Sequence, residues 1–201
     1  NLVKTNNILI FVGMNKELTD TKDFLQNISD YIHFFVKDNT PDSWVLLLQI
    51  LTKFMVFIAI IYLVDFLFKL IINSIFRIFF DKDKYPVLKS VYGAKLTNSV
   101  SHLIALLFGS FALSSFFYRH PKSHIFLERL IGLLIVLVVA QMLFRGITAI
   151  RNYFIINKDY YKIIALNAVS QTLNIFTVFV ASVIAISVLF GISGSAIVGS
   201  L

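Results

Sequence analysis

Between Lys162 and Gly191 the chain carries no charge: Ile163 to Phe190 is an unbroken run of 28 apolar and neutral polar residues. As a helix it would extend about 42 Å, more than the roughly 30 Å of a bilayer's hydrocarbon layer, so it spans with tilt or protrudes. A second uncharged run, Leu96 to Tyr118, holds 23 residues between Lys95 and Arg119, with His102 its only titratable group. It spans as well. A third, Leu130 to Phe144, is uncharged for only 15 residues, about 22 Å of helix. To cross, it must recruit Ile125, Phe126 and Leu127 and let Glu128, Arg129 and Arg145 snorkel at its ends. The remaining apolar segment, Trp44 to Phe80, is interrupted by Lys53, Asp65, Lys69 and Arg77. It reads as one helix whose membrane part lies between Ile50 and Ile72, with Lys53 snorkelling outward and Lys69 and Arg77 marking the other end. Asp65 and Lys69, four apart, can pair on one face.

Before Trp44 the pattern is different. Thr19 or Asp20 is placed to cap a helix in which Phe24, Ile28, Ile32 and Phe35 recur on one face, opposite Lys22, Asp23, Gln26 and Asp30. This predicts an amphipathic helix that lies on the headgroups or covers the transmembrane helices. Ile8 to Val12 is too short to span and lacks the flanks of an intact signal peptide. Because the chain begins at Asn1 without Met, further residues are expected upstream. The pattern as a whole predicts an all-α integral membrane protein. Residues 1–43 form a segment outside the cytoplasm, 44–190 a region of four transmembrane helices, and 191–201 the start of a fifth helix.

Composition agrees: 58% of residues are hydrophobic, 14% are charged, and the mean hydropathy is +0.82, which no soluble domain of this length needs. Orientation follows from Lys and Arg in the short loops. Arg77, Lys82, Lys84, Lys89 and Lys95 lie between the first and second spans, and Arg145, Arg151, Lys158 and Lys162 between the third and fourth. Near the spans the other side carries Lys37, Arg119, Lys122 and Arg129. The richer side belongs in the cytoplasm, so the N-terminus is outside and the fourth helix delivers Gly191 to the outer surface. The net charge of +7 then faces lipid headgroups. There is no aromatic and basic groove of the kind single-stranded nucleic acid requires.

Candidate chemistry is sparse. The chain has no Cys, which excludes disulfides, thiolate metal sites and Cys nucleophiles. His33, His102, His120 and His124 never take the paired spacing of a zinc helix, and the "HPKSH" stretch at 120–124 reads as a surface turn. No nucleophile elbow, phosphate loop or dinucleotide fingerprint is present. The expectation is a protein that is not an enzyme, with no catalytic residue, cofactor or metal. Asn27-Ile28-Ser29 matches a glycosylation sequon, a motif short enough to recur by chance. Within the spans, Asn167, Gln171 and Asn174 form a polar stripe at i, i+4 and i+7. It either lines a substrate path or hydrogen-bonds to neighbouring helices, and the second is the commoner use of such residues. Asp65 with Lys69 is a candidate ion or proton site, weakened by its nearness to the inner interface.

The last stretch, "GISGSAIVGSL" at 191–201, places Ser195 with Gly199 and Ala196 with Ser200 at the four-residue spacing that lets membrane helices pack backbone to backbone. The fourth helix followed by this stretch, over Asn167 to Leu201, resembles the second-to-third helix junction of the small-conductance mechanosensitive channel family. There an uncharged helix ends at a Gly turn and a Gly/Ala-rich pore helix follows. The resemblance puts Gly191 at the turn, Gly194, Ser195, Ala196, Gly199 and Ser200 at small packing positions, and Leu201 at an apolar position just above the Gly/Ala-rich core. Ser195 and Ser200 are more polar than the family's usual residues there, and the family's Leu constriction and cytoplasmic vestibule would lie beyond Leu201. Four spans before the pore helix resemble the family's larger members.

The resemblance implies a homo-heptamer of identical subunits around a pore in the bacterial inner membrane, with membrane lipids as the other partner. The mechanism implied is opening by membrane tension and release of ions and small solutes on hypo-osmotic shock. Two alternatives stand beside it. A secondary transporter would use Asp65, Lys69 or the Asn167 stripe, and would be expected to show an internal repeat, which the chain lacks. A non-conducting scaffold subunit would need helix packing alone.

Overall fold

Among the described residues, six α-helices follow one another in the computed structural model: α1 (Leu2–Asn39), α2 (Asp42–Phe79), α3 (Pro86–Gly93), α4 (Leu96–Phe116), α5 (Pro121–Ile156) and α6 (Tyr160–Phe190). The structure describes the backbone of residues 2–79, 86–156 and 160–191, and the side chains of 17–41, 44–76, 87–155 and 167–191. Among these residues there is no strand. Proline opens α3 and α5, where its missing N–H and fixed φ cost nothing, and glycine closes α3 and follows α6. Four helices among the described residues are long and apolar enough to cross a membrane: Trp44–Phe76, Leu96–Phe116, Pro121–Ile155 and Asn167–Phe190. The chain is therefore an all-α, multi-pass membrane protein by length and composition of its helices. The short α3, in the charged stretch between the first two spans, carries no sequence expectation.

The chain folds as two units, Asn1–Ala59 with Ser110–Leu127, and Ile60–Gly109 with Glu128–Leu201. In the first, α1 is one continuous helix that begins well before Thr19, so neither Thr19 nor Asp20 is its cap. Its buried face is Leu25, Ser29, Ile32 and Val36, the i, i+4, i+7, i+11 row. This corrects the stripe through Phe24 and Phe35, both of which are exposed. The helix carries two apolar rows, and the one containing Ser29 is chosen because Ser29 has a polar partner inside. The core of this unit is aromatic. Phe57 of α2 lies 5.8 Å from Phe116 and 5.6 Å from Phe117, ring centre to ring centre, and all three are buried.

In the second unit the spans pack with little burial of their own. Only 6% of the most apolar window of α6 and 11% of that of α5 is buried, against 44% for α4. Gly132 of α5 brings α6 close: a Cβ there would stand 2.9 Å from Val188 Cγ1. Beyond that contact the two helices flank an apolar cleft of about 320 Å³ walled by Val139, Leu143, Phe176, Val180 and Ile184.

Candidate functional site

The polar groups that the apolar sequence must place somewhere fall into separate clusters. In the second unit, Asp65 of α2 is buried, and its carboxylate holds two partners. Lys69 Nζ donates to Oδ2 at 2.6 Å, and His102 Nδ1 of α4 lies 2.9 Å from Oδ1. That contact is not a hydrogen bond: Oδ1, buried, has no hydrogen-bond partner among the described residues, so the carboxylate is bonded within its own helix and only touches the neighbouring one. Sequence spacing pointed to Lys69 but not to His102, because a contact between helices leaves no periodic signal.

Arg145 of α5 turns to protein rather than to the headgroups. Its Nη1 donates to the Lys95 carbonyl at 2.9 Å and to Ser99 Oγ at 2.7 Å, and Ser99 donates in turn to Gln141 Oε1 at 3.3 Å. Lys95 adopts φ +55°, the left-handed region in which a side chain is strained by about 1 kcal/mol. The guanidinium on its carbonyl holds that turn in place.

The α6 helix ends at Gly191, whose φ is +65° and whose N–H reaches the Val188 carbonyl at 3.3 Å. Arg129 of α5 closes over this end: its Nη1 donates to the Leu189 carbonyl at 3.2 Å. A Cβ on residue 191 would stand 2.9 Å from Nη2. A cation on the last carbonyls complements the negative end of the helix dipole. Arg129 thus does more than snorkel. The sequence shows a cation beside an uncharged run, but not the helix end that it caps.

Of the polar stripe on α6, Asn167 and Gln171 are exposed. Asn174 Oδ1 is buried and has no hydrogen-bond partner among the described residues. Gly194, Ser195, Ala196, Gly199 and Ser200, with Leu201, lie outside the described residues.

The first unit contains a cluster that sequence reading missed. Lys53, expected to snorkel outward, is fully buried. Its ammonium donates to Ser29 Oγ at 2.7 Å, and Ser29, also fully buried, donates to the Phe116 carbonyl at 2.8 Å. Beside them, Tyr118 donates to Asp30 Oδ1 at 2.6 Å, Arg119 Nε donates to the Tyr118 hydroxyl at 2.6 Å, and Arg119 Nη2 lies 3.1 Å from the same Asp30 oxygen. The hydrogen bond to Tyr118, reinforced by the Asp30 charge, raises the Arg119 pKa above its ordinary value. Burial, and then the charges of Lys53, His33 and Arg119, push His120 below the ordinary imidazole value. Gln49, buried one turn before Lys53, donates to the His33 carbonyl at 3.2 Å and ties α2 to α1 a second time.

Among the described residues no group of three or more His, Cys, Asp or Glu side chains is placed to hold a metal ion. The chain matches no family model, no curated protein and no solved structure.

Proposed function

We propose that the chain is the membrane-spanning part of a tension-gated channel subunit. In this reading it sits in the bacterial inner membrane with its N-terminus outside, assembles with identical copies, and releases ions and small solutes when the bilayer is stretched. The observation that carries the reading is the end of α6. An almost unburied apolar helix stops at a left-handed glycine, and the sequence continues into closely spaced small residues. A helix so little covered by its own chain is suited to lipid on one side and other subunits on another. Small residues after the turn suit a pore helix packed against its own copies. Gating then needs no chemistry: the open state occupies more membrane area, and tension favours it in proportion to that difference.

The test is suction applied to membrane patches containing the native full-length protein. Wild type is expected to open stepwise currents, and Gly199→Val, which puts a branched side chain at the tightest spacing, is expected to raise the tension needed or abolish opening. Currents and assembly unchanged in Gly199→Val would remove the packing role.

A second reading, a proton-coupled transporter, draws on the buried Asp65 carboxylate with Lys69 and His102, since ionisable groups inside a membrane are functional candidates. It predicts that Asp65→Asn abolishes gradient-driven solute uptake. The channel reading predicts no such uptake in wild type.

A further inference from the structure

The least explained charge in the molecule is Lys53. Its ammonium has three N–H groups, is fully buried, and uses one of them on a neutral hydroxyl, Ser29 Oγ. Among the described residues it forms no ion pair. Asp30, the carboxylate whose charge acts on Lys53, is already engaged by Arg119 and Tyr118. The buried aromatic trio Phe57, Phe116 and Phe117 offers the ammonium no carboxylate in Asp30's place. An isolated ammonium in such surroundings is strongly disfavoured unless something compensates it.

Two further polar atoms are left over in the same unit. His33 Nδ1 on α1 and His120 Nε2, in the turn between α4 and α5, are both buried and have no hydrogen-bond partner among the described residues. A neutral imidazole can place its one proton on either nitrogen, so both atoms can serve as donors without either ring becoming charged. With Asp30 and Arg119 cancelling, the cluster of Asp30, His33, Lys53, Arg119 and His120 carries one net positive charge.

We propose that Lys53, with His33 Nδ1 and His120 Nε2 as neutral donors, forms a buried site for a small monovalent inorganic anion such as chloride. The ligand class follows from the chemistry. One uncompensated charge asks for one negative charge, each of the free imidazole nitrogens can carry the N–H that an anion accepts, and the full burial of Lys53 favours an ion of about atomic size over a phosphate or a carboxylate. Such an ion would tie together α1, α2 and the turn after α4, so its binding would hold the N-terminal helix on the first span. The site does not depend on the channel reading, and its test involves no current.

The experiment uses bromide in place of chloride. Crystals of the full-length protein grown in bromide are expected to show an anomalous peak beside Lys53 Nζ; a clean map there would overturn the proposal. In solution, chloride-35 line broadening by the detergent-solubilised protein is expected to be reversed by bromide or nitrate and not by gluconate. Lys53→Met is expected to weaken the effect at least tenfold, and His120→Phe, which keeps Lys53 in place and removes the ring N–H, by roughly threefold, as suits the loss of a charged and of a neutral donor. If Lys53→Met does not fold, the bromide map and His120→Phe still decide. Broadening unchanged in His120→Phe would remove that residue as a donor, and broadening unchanged in both variants would overturn the site.

Discussion

At the scale of single residues, the chain places its few polar groups where a backbone or a charge needs them. Gly191 accepts a left-handed turn and makes room for the Arg129 guanidinium. His120 is the residue whose environment has a direct consequence for pH. Burial first, and then the neighbouring charges of Lys53 and Arg119, disfavour its charged form, so the native state binds this proton less readily than the unfolded chain does. Its contribution is therefore full above the ordinary imidazole value near 6.5 and is lost as pH falls through the lower native value. In chloride-free buffer, the unfolding temperature of wild type is expected to drop between pH 7.5 and 5 by about 2 °C more than that of His120→Gln. Parallel curves for the two proteins would show that His120 is not held neutral.

At the scale of elements, long uncharged runs announce the spans, because a membrane imposes a minimum length that few other constraints imitate. The runs beginning at Leu96 and ending at Phe190 coincide with ends of α4 and α6. What the sequence conceals is which face of a helix turns inward. In α1, Phe24, Ile28, Ile32 and Phe35 form as good a stripe as Leu25, Ser29, Ile32 and Val36. The second is buried because Ser29 meets Lys53, and that pairing lies 24 positions away. Lys53 misleads for the same reason: a lone lysine near the end of a span normally snorkels, unless another helix brings it a partner. The Asp65 and His102 contact is a third case, and it can be measured. Asp65 is buried and His102 is half-exposed, with 41% of its side chain accessible. A double-mutant cycle of Asp65→Asn and His102→Ala is expected to give a coupling of about 1 kcal/mol in unfolding free energy, with the Lys69 pair intact in the His102 single variant. Strict additivity would mean that the 2.9 Å contact holds nothing together.

At the scale of the whole molecule, the question is what covers α6. Ile175, Phe176 and Phe179 are 72%, 64% and 66% exposed, which suits hydrocarbon. Asn167 and Gln171 are exposed too, and uncompensated amides in hydrocarbon cost several kcal/mol each. Along the helix, positions 167, 171 and 174 share one face while 175, 179 and 186 share another, rotated by about a quarter turn. Lipid on the second face and a neighbouring subunit on the first satisfies both, since side-chain amides can then pair across the interface. Residues 1–201 hold no cysteine, and with any cysteine elsewhere in the protein changed to serine this is directly testable. Single cysteines at Gln171→Cys and Phe179→Cys, in the full-length protein in bilayers, are exposed to a lipid-soluble maleimide. The cysteine at 179 is expected to react several times faster than the one at 171, and the difference should vanish when the assembly is dispersed into single chains by detergent. Equal rates in the bilayer would mean that the polar face of α6 meets lipid, and with it the assembly of identical subunits around this helix would fall.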